Sequence, residues 1–178
     1  MSVGARLLCG TAAFFFAAFV FAYFYLRSLD VHGSWKIGPV HPSIGLGVAI
    51  VVALILSGAA LRVAVARPAL DLPAASVALA LALLALVLQV VEWTTLGFGP
   101  VSGAYASVFI GWTVMYAVLA LACIYWIETQ VATIWRARRE GPGMGGPSTV
   151  ATNLEACAFF WTFYVAIGVL AFVILYVL

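Results

Sequence analysis

The sequence predicts an all-α integral membrane protein, a single domain of five transmembrane helices over residues 1–178. Three observations predict it. Only 8% of the 178 residues are charged and 66% are hydrophobic, whereas soluble domains carry about 25% charge. The mean hydropathy is +1.19, too apolar to cover a soluble core with polar surface. Five apolar runs reach the roughly 20 residues a membrane-spanning helix needs, and Pro, Gly or charge separates them.

The first run is Leu7–Leu26. It exceeds a usual signal-peptide apolar region and no small-residue cleavage site follows it, so it is expected to be a permanent helix. The second is Ile44–Ala66, with Arg62 near its end; Pro39 and Pro42 precede it. The third, Ala74–Leu96, lies between Pro73 and Pro100. The fourth is Ala104–Trp135 and the fifth Leu154–Leu178. Between these two, residues 136–149 read RARREGPGMGGPST. Their glycines and prolines predict an irregular cytoplasmic loop. Thr152 and Glu155 then match a capping box opening the fifth helix. Strands are excluded because LALALLALVLQVV has no period-2 alternation, and lipid demands that every backbone group be paired.

Charge predicts orientation. Arg6, Arg62, Arg67, Arg136, Arg138 and Arg139 fall on the N-terminal side, against Arg27 and Lys36 on the other. The positive-inside rule puts the N-terminus in the cytoplasm and the C-terminus outside. A net charge of +2 gives no reason to expect nucleic acid as a partner. The basic residues read as orientation signals and lipid-headgroup contacts, with membrane lipid the expected surroundings.

Chemistry-bearing residues are few. Both histidines, His32 and His41, lie in the first outer loop, so no facing pair on helices is available for haem or copper. Cys9, Cys123 and Cys157 are separated and read as small buried hydrophobes. Among the acids, Glu92 and Glu128 lie within apolar runs. Glu128, with Gln130 and Thr133 after it and Trp126 and Trp135 around it, fits an interfacial turn. Glu92 has Gln89 one turn earlier on the same helix face. Facing lipid, that pair would be costly, so it is expected against a neighbouring helix. Two roles fit it: a hydrogen-bond clamp fixing the third and fourth helices, or a proton-relay site, for which a second nearby carboxylate is wanting. Small residues in the first two helices, Ala12, Ala13, Ala17 and Ala18, then Ser57, Gly58, Ala59 and Ala60, permit close helix approach.

One segment carries a family resemblance. Gln89, Glu92 and Trp93, a Gly/Pro turn, and then Phe98, Gly103, Tyr105, Ser107, Phe109 and Thr113 follow a pattern similar to the cytochrome c oxidase subunit 3 family, subunit III of the haem-copper terminal oxidases. FFFAAFVFAYFYLRSL at 14–29, LILSGAAL at 54–61 and LEACAFFWTFYV at 154–165 resemble further helices of that family, in order. Within the last, Glu155, Ala156, Ala158, Trp161 and Phe163 match. The family includes a bacterial five-helix form lacking the first two of seven helices, which also begins in the cytoplasm.

The resemblance implies an accessory, non-redox subunit of a bacterial respiratory oxidase in the inner (plasma) membrane. It would bind no cofactor itself, while haem and copper sit in partner subunits. It would pack beside the catalytic subunit I and subunit II, hold phospholipid and support stable turnover. The complex would oxidise cytochrome c or quinol. The expected structural residues are a polar clamp of Gln89, Glu92, Trp93, Tyr105, Ser107 and Thr113, and Arg67, Glu128 and Trp161 are expected as lipid or partner contacts. The chain departs from the family at Thr11-Ala12, where Ser-Glu is usual. The T-G-x-H-x-x-H stretch appears as Thr113 to Leu119 without either histidine. The W-H-F-x-D stretch appears as Trp161 to Val165 without the histidine and aspartate. Buried polar links are thus replaced, and apolar packing can substitute for them. Two alternatives stay open: an accessory protein of nitric oxide reductase from the same family, and a small proton-coupled transporter using Glu92.

Overall fold

The computed structural model describes residues 3–30, 33, 35, 36, 38, 41–67, 71–140 and 146–178. Among them all regular structure is helical, without strands. The helices are α1 (Val3–Ser28), α2 (Ile44–Ala66), α3 (Leu72–Thr95), α4 (Ala104–Glu140) and α5 (Gly146–Phe172), the last running into a π-helical turn at Val173–Val177. All five are long and apolar enough to cross a membrane.

Local chemistry sets several ends. Ser43 Oγ accepts the Leu46 N–H at 3.4 Å and caps α2. Asp71 caps α3 at Ala74 N, 3.5 Å away, and also pairs with Arg67. Pro73 falls in the first turn of α3, where its missing N–H is not needed. At the far end of α3, Ser107 Oγ of α4 donates to Pro100 O at 2.5 Å and fixes the Gly/Pro turn.

The α2–α3 hairpin packs tightly because its facing surfaces are small. Ala75, Ala78, Ala82 and Ala85 are buried on α3 at alternating spacings of three and four, against Ala53, Ser57, Gly58, Leu61 and Ala64 on α2. Without a hydrophobic drive between helices in lipid, such close backbone approach supplies the packing. The same α3 stripe continues into buried Gln89 and Glu92, so the helix carries its polar pair inward. α5 packs on α2 and α4, and α1 lies against α4 and α5. Tyr105 N donates to Trp35 O at 3.0 Å, tying the α1–α2 connection to the start of α4. One end of the bundle therefore gathers that connection, the α3–α4 turn and the end of α5. The arginines Arg6, Arg62, Arg67, Arg136, Arg138 and Arg139 lie on the segments that form the other end.

Four expectations are corrected. α1 and α3 begin earlier than Leu7 and Ala74, since apolar content marks the membrane core rather than the helix. α4 continues past Trp135 to Glu140, because Arg and Ala are good helix formers once the chain leaves apolar surroundings. α5 begins at Gly146, so helix takes both ends of the expected 136–149 loop; Pro147 is accommodated in a first turn. Thr152 and Glu155 consequently lie inside α5 and do not cap it. His32 lies outside the described residues; His41 is exposed just before α2.

Candidate functional site: a buried polar cluster at one end of the bundle

Glu92 is fully buried (0% exposed). Its Oε2 accepts two hydrogen bonds, from Gln89 Nε2 at 2.9 Å and from the Tyr176 hydroxyl at 2.6 Å. The first partner is one turn back on α3, as the spacing predicts. The second lies 84 residues away in the π-helical turn. Glu92 thus joins α3 to the end of α5, whereas the sequence suggested a link to α4. The α3–α4 link belongs to its neighbour: Trp93 Nε1 donates to Thr113 Oγ1 at 3.0 Å, and Thr113 donates on to Phe109 O at 2.9 Å. A residue with helical neighbours on two sides can serve only one with each face, so adjacent Glu92 and Trp93 divide the work.

Tyr105 completes the cluster. Its hydroxyl donates to Leu175 O at 2.5 Å, satisfying a carbonyl at the end of α5. Its ring meets Trp35 edge-on at 5.6 Å, and Trp35 meets Tyr23 likewise at 5.1 Å. Lys36 Nζ stands 4.4 Å from the Tyr105 ring centroid. Burial, and then the nearby Arg27 charge, hold the Lys36 amine below the usual lysine range. Of the six expected clamp residues, Ser107 stands apart: it is exposed and bonds only within its own turn, to Pro100 and Gly103.

The close fit is set by two glycines. A Cβ on Gly47 would sit 2.7 Å from Tyr176 Cε1 and 3.0 Å from Phe172. A Cβ on Gly168 would sit 3.0 Å from Leu54 Cδ1 and 3.1 Å from Tyr116 Cζ. Between α2, α3, α4 and α5 a small gap of about 30 Å³ remains, lined among others by Gln89, Trp112, Thr113, Tyr116 and Tyr176.

Deeper in the bundle are links the sequence reading did not find. Tyr116 and Tyr164 each donate a hydroxyl to the other's backbone carbonyl. Ser57 Oγ donates to Ala78 O at 2.7 Å and accepts from Trp161 Nε1 at 3.0 Å, a node joining α2, α3 and α5. Trp161, expected at lipid or a partner, is instead 1% exposed and bonded within the core. Arg67 is exposed and paired with Asp71, and Glu128 is exposed. In an apolar helix Tyr and Trp read as packing residues, so only the pairing of their polar tips, which needs the fold, reveals these links.

Among the described residues no three His, Cys, Asp or Glu side chains converge as a metal site. No protein-family model matches the chain, and no curated protein is significantly similar to it. The site is a hydrogen-bond network around one buried carboxyl group, joining three helices at one end of the bundle.

Proposed function

We propose that the chain is an accessory, non-redox subunit of a bacterial haem-copper terminal oxidase, akin to subunit III, seated in the inner membrane with its arginine-rich end in the cytoplasm. Haem and copper belong to its partner chains, subunits I and II. Phospholipid belongs around this one. The observation that carries the reading is the segment from Gln89 to Thr113. Its family-like residues run without a gap, and they are the ones that join α3 to α4 and α5 through Glu92, Trp93 and Tyr105.

Two of the three departures from the family pattern fall on one interface. Tyr116 stands where the first histidine of T-G-x-H-x-x-H is usual, and Tyr164 is two residues beyond the usual histidine of the last helix. Their two phenols bond across the same α4–α5 interface. A polar link thus joins α4 to α5 there.

A second reading, a small proton-coupled transporter, draws on one observation: Glu92 is buried and its Oε1 has no hydrogen-bond partner among the described residues. Mild-detergent purification from native membranes through a tag on this chain separates the readings. Haem absorption with a co-purifying large oxidase subunit supports the accessory role, and that subunit's substrate decides between oxygen and nitric oxide. A colourless chain purifying alone overturns it and moves the weight to transport.

A further inference from the structure

Two small voids lie inside the bundle. The first, of about 30 Å³, is the gap between α2, α3, α4 and α5. The second, of about 20 Å³, lies between the same four helices and reaches Ala120 and Trp161. Ile50, Leu54, Gln89 and Tyr116 line both, so the voids adjoin.

The surface they present is almost wholly apolar. Polar residues in the walls turn their donors elsewhere. Gln89 and Tyr176 donate to Glu92. Thr113 donates to Phe109 O, Tyr116 to Tyr164 O and Trp161 to Ser57 Oγ. A buried water needs about two to four polar partners, and neither void offers them. Apolar cavities stay dry instead, and one of about 150 Å³ admits benzene or xenon. These voids are several times smaller, so a ring or an acyl chain is too large for them. Atoms lining a dry void also forgo dispersion contacts that an occupant restores. What suits a space so small and apolar is an uncharged molecule of two atoms that needs no hydrogen bond. Gases of that kind dissolve more readily in lipid than in water, so a membrane bundle meets them at its surface.

We infer that the paired voids are a binding site for a small apolar diatomic gas, of the class of dioxygen, with room for one molecule in each. Leu54 and Ile50 of α2 form the wall common to both. Occupancy depends on these walls alone, so it stands apart from the proposed place in an oxidase.

Methyl NMR of the methyl-labelled full chain in lipid nanodiscs tests this with dissolved dioxygen, whose paramagnetism speeds the relaxation of any methyl group it touches. Spectra under dinitrogen at equal pressure remove the effect of pressure itself. Ile124 (6% exposed) and Ile174 (3%) are as buried as Ile50 (7%) and Leu54 (3%), yet line neither void. Dioxygen should speed relaxation at Ile50 and Leu54 several-fold more than at Ile124 and Ile174. Equal enhancement at all four would mean that the gas reaches them only from the surrounding lipid, and it overturns the inference.

Discussion

Tyr116 and Tyr164 bond reciprocally: each phenol donates to the backbone carbonyl of the other residue while their rings stack with centroids 4.2 Å apart. The pair fixes both the rotation and the height of α4 against α5. Each accepting carbonyl also lies within a helix, so removing one hydroxyl leaves it satisfied by its own turn. Tyr116→Phe or Tyr164→Phe alone should therefore cost only about 0.5–1.5 kcal/mol. Because the two bonds hold one arrangement, the double variant should depart from additivity. Unfolding in mixed detergent micelles measures all three.

The node at Ser57 behaves differently, because its partner is left stranded. Ser57→Ala removes the acceptor for the buried Trp161 Nε1 and the donor to Ala78 O. A loss of about 1–3 kcal/mol is expected. Adding Trp161→Phe removes the orphaned N–H but opens a space, so the double variant should cost less than the sum of the singles. The same unfolding assay reads the difference.

Gly47→Ala should dislodge Tyr176, whose ring would lie 2.7 Å from the new methyl group. Overpacking of this kind costs about 1–3 kcal/mol, and the Tyr176–Glu92 bond is lost with it. Gly10→Ala in α1 is the control, since nothing lies within 4 Å there. It should stabilise by about 0.5–1 kcal/mol, the ordinary helix advantage of Ala over Gly. A Gly47→Ala variant as stable as wild type would remove Tyr176 from the cluster.

Lys36 should titrate below the normal lysine range, since burial and Arg27 both disfavour its charged form. The folded chain then binds this proton less tightly than the unfolded one. Docking of Lys36 over Tyr105 is disfavoured while both states are protonated, and the disadvantage disappears as pH rises past the folded and then the unfolded midpoint. Arg27→Gln should raise the folded midpoint. Nitrogen-15 NMR of a lysine-labelled chain follows it directly.

How much of this was readable in advance depends on the range of each interaction. The five helices follow from five apolar runs without period-2 alternation, because lipid admits only helices and closed barrels. Gln89 and Glu92 are neighbours by helical spacing, and the sequence places them correctly on the inner face of α3. Tyr176 is invisible at that level: its claim on Glu92 spans 84 residues and depends on the π-helical turn that carries it. Trp161 was misplaced for a related reason. An aromatic residue with a polar tip suits a membrane interface and a buried hydroxyl equally well, and only Ser57 across the core decides. The capping box failed because Thr152 and Glu155 have the right spacing but an earlier turn, from Gly146, had already begun the helix.

The 37 residues of α4 have a further consequence. At about 1.5 Å per residue they extend about 55 Å, while a bilayer with its headgroups is about 40–45 Å thick. A tilt of about 20° shortens that reach only slightly. The excess belongs to the end where polar residues accumulate, through Glu128, Thr133, Arg136, Arg138 and Arg139. Trp135, with the Arg139 guanidinium 4.5 Å from its ring centroid, is the residue expected at the interface where the helix leaves the lipid. Beyond it the final turn is expected to stand in water as a short, positively charged handle. An antibody, a protease or a water-soluble neighbour could grip it there without touching the membrane.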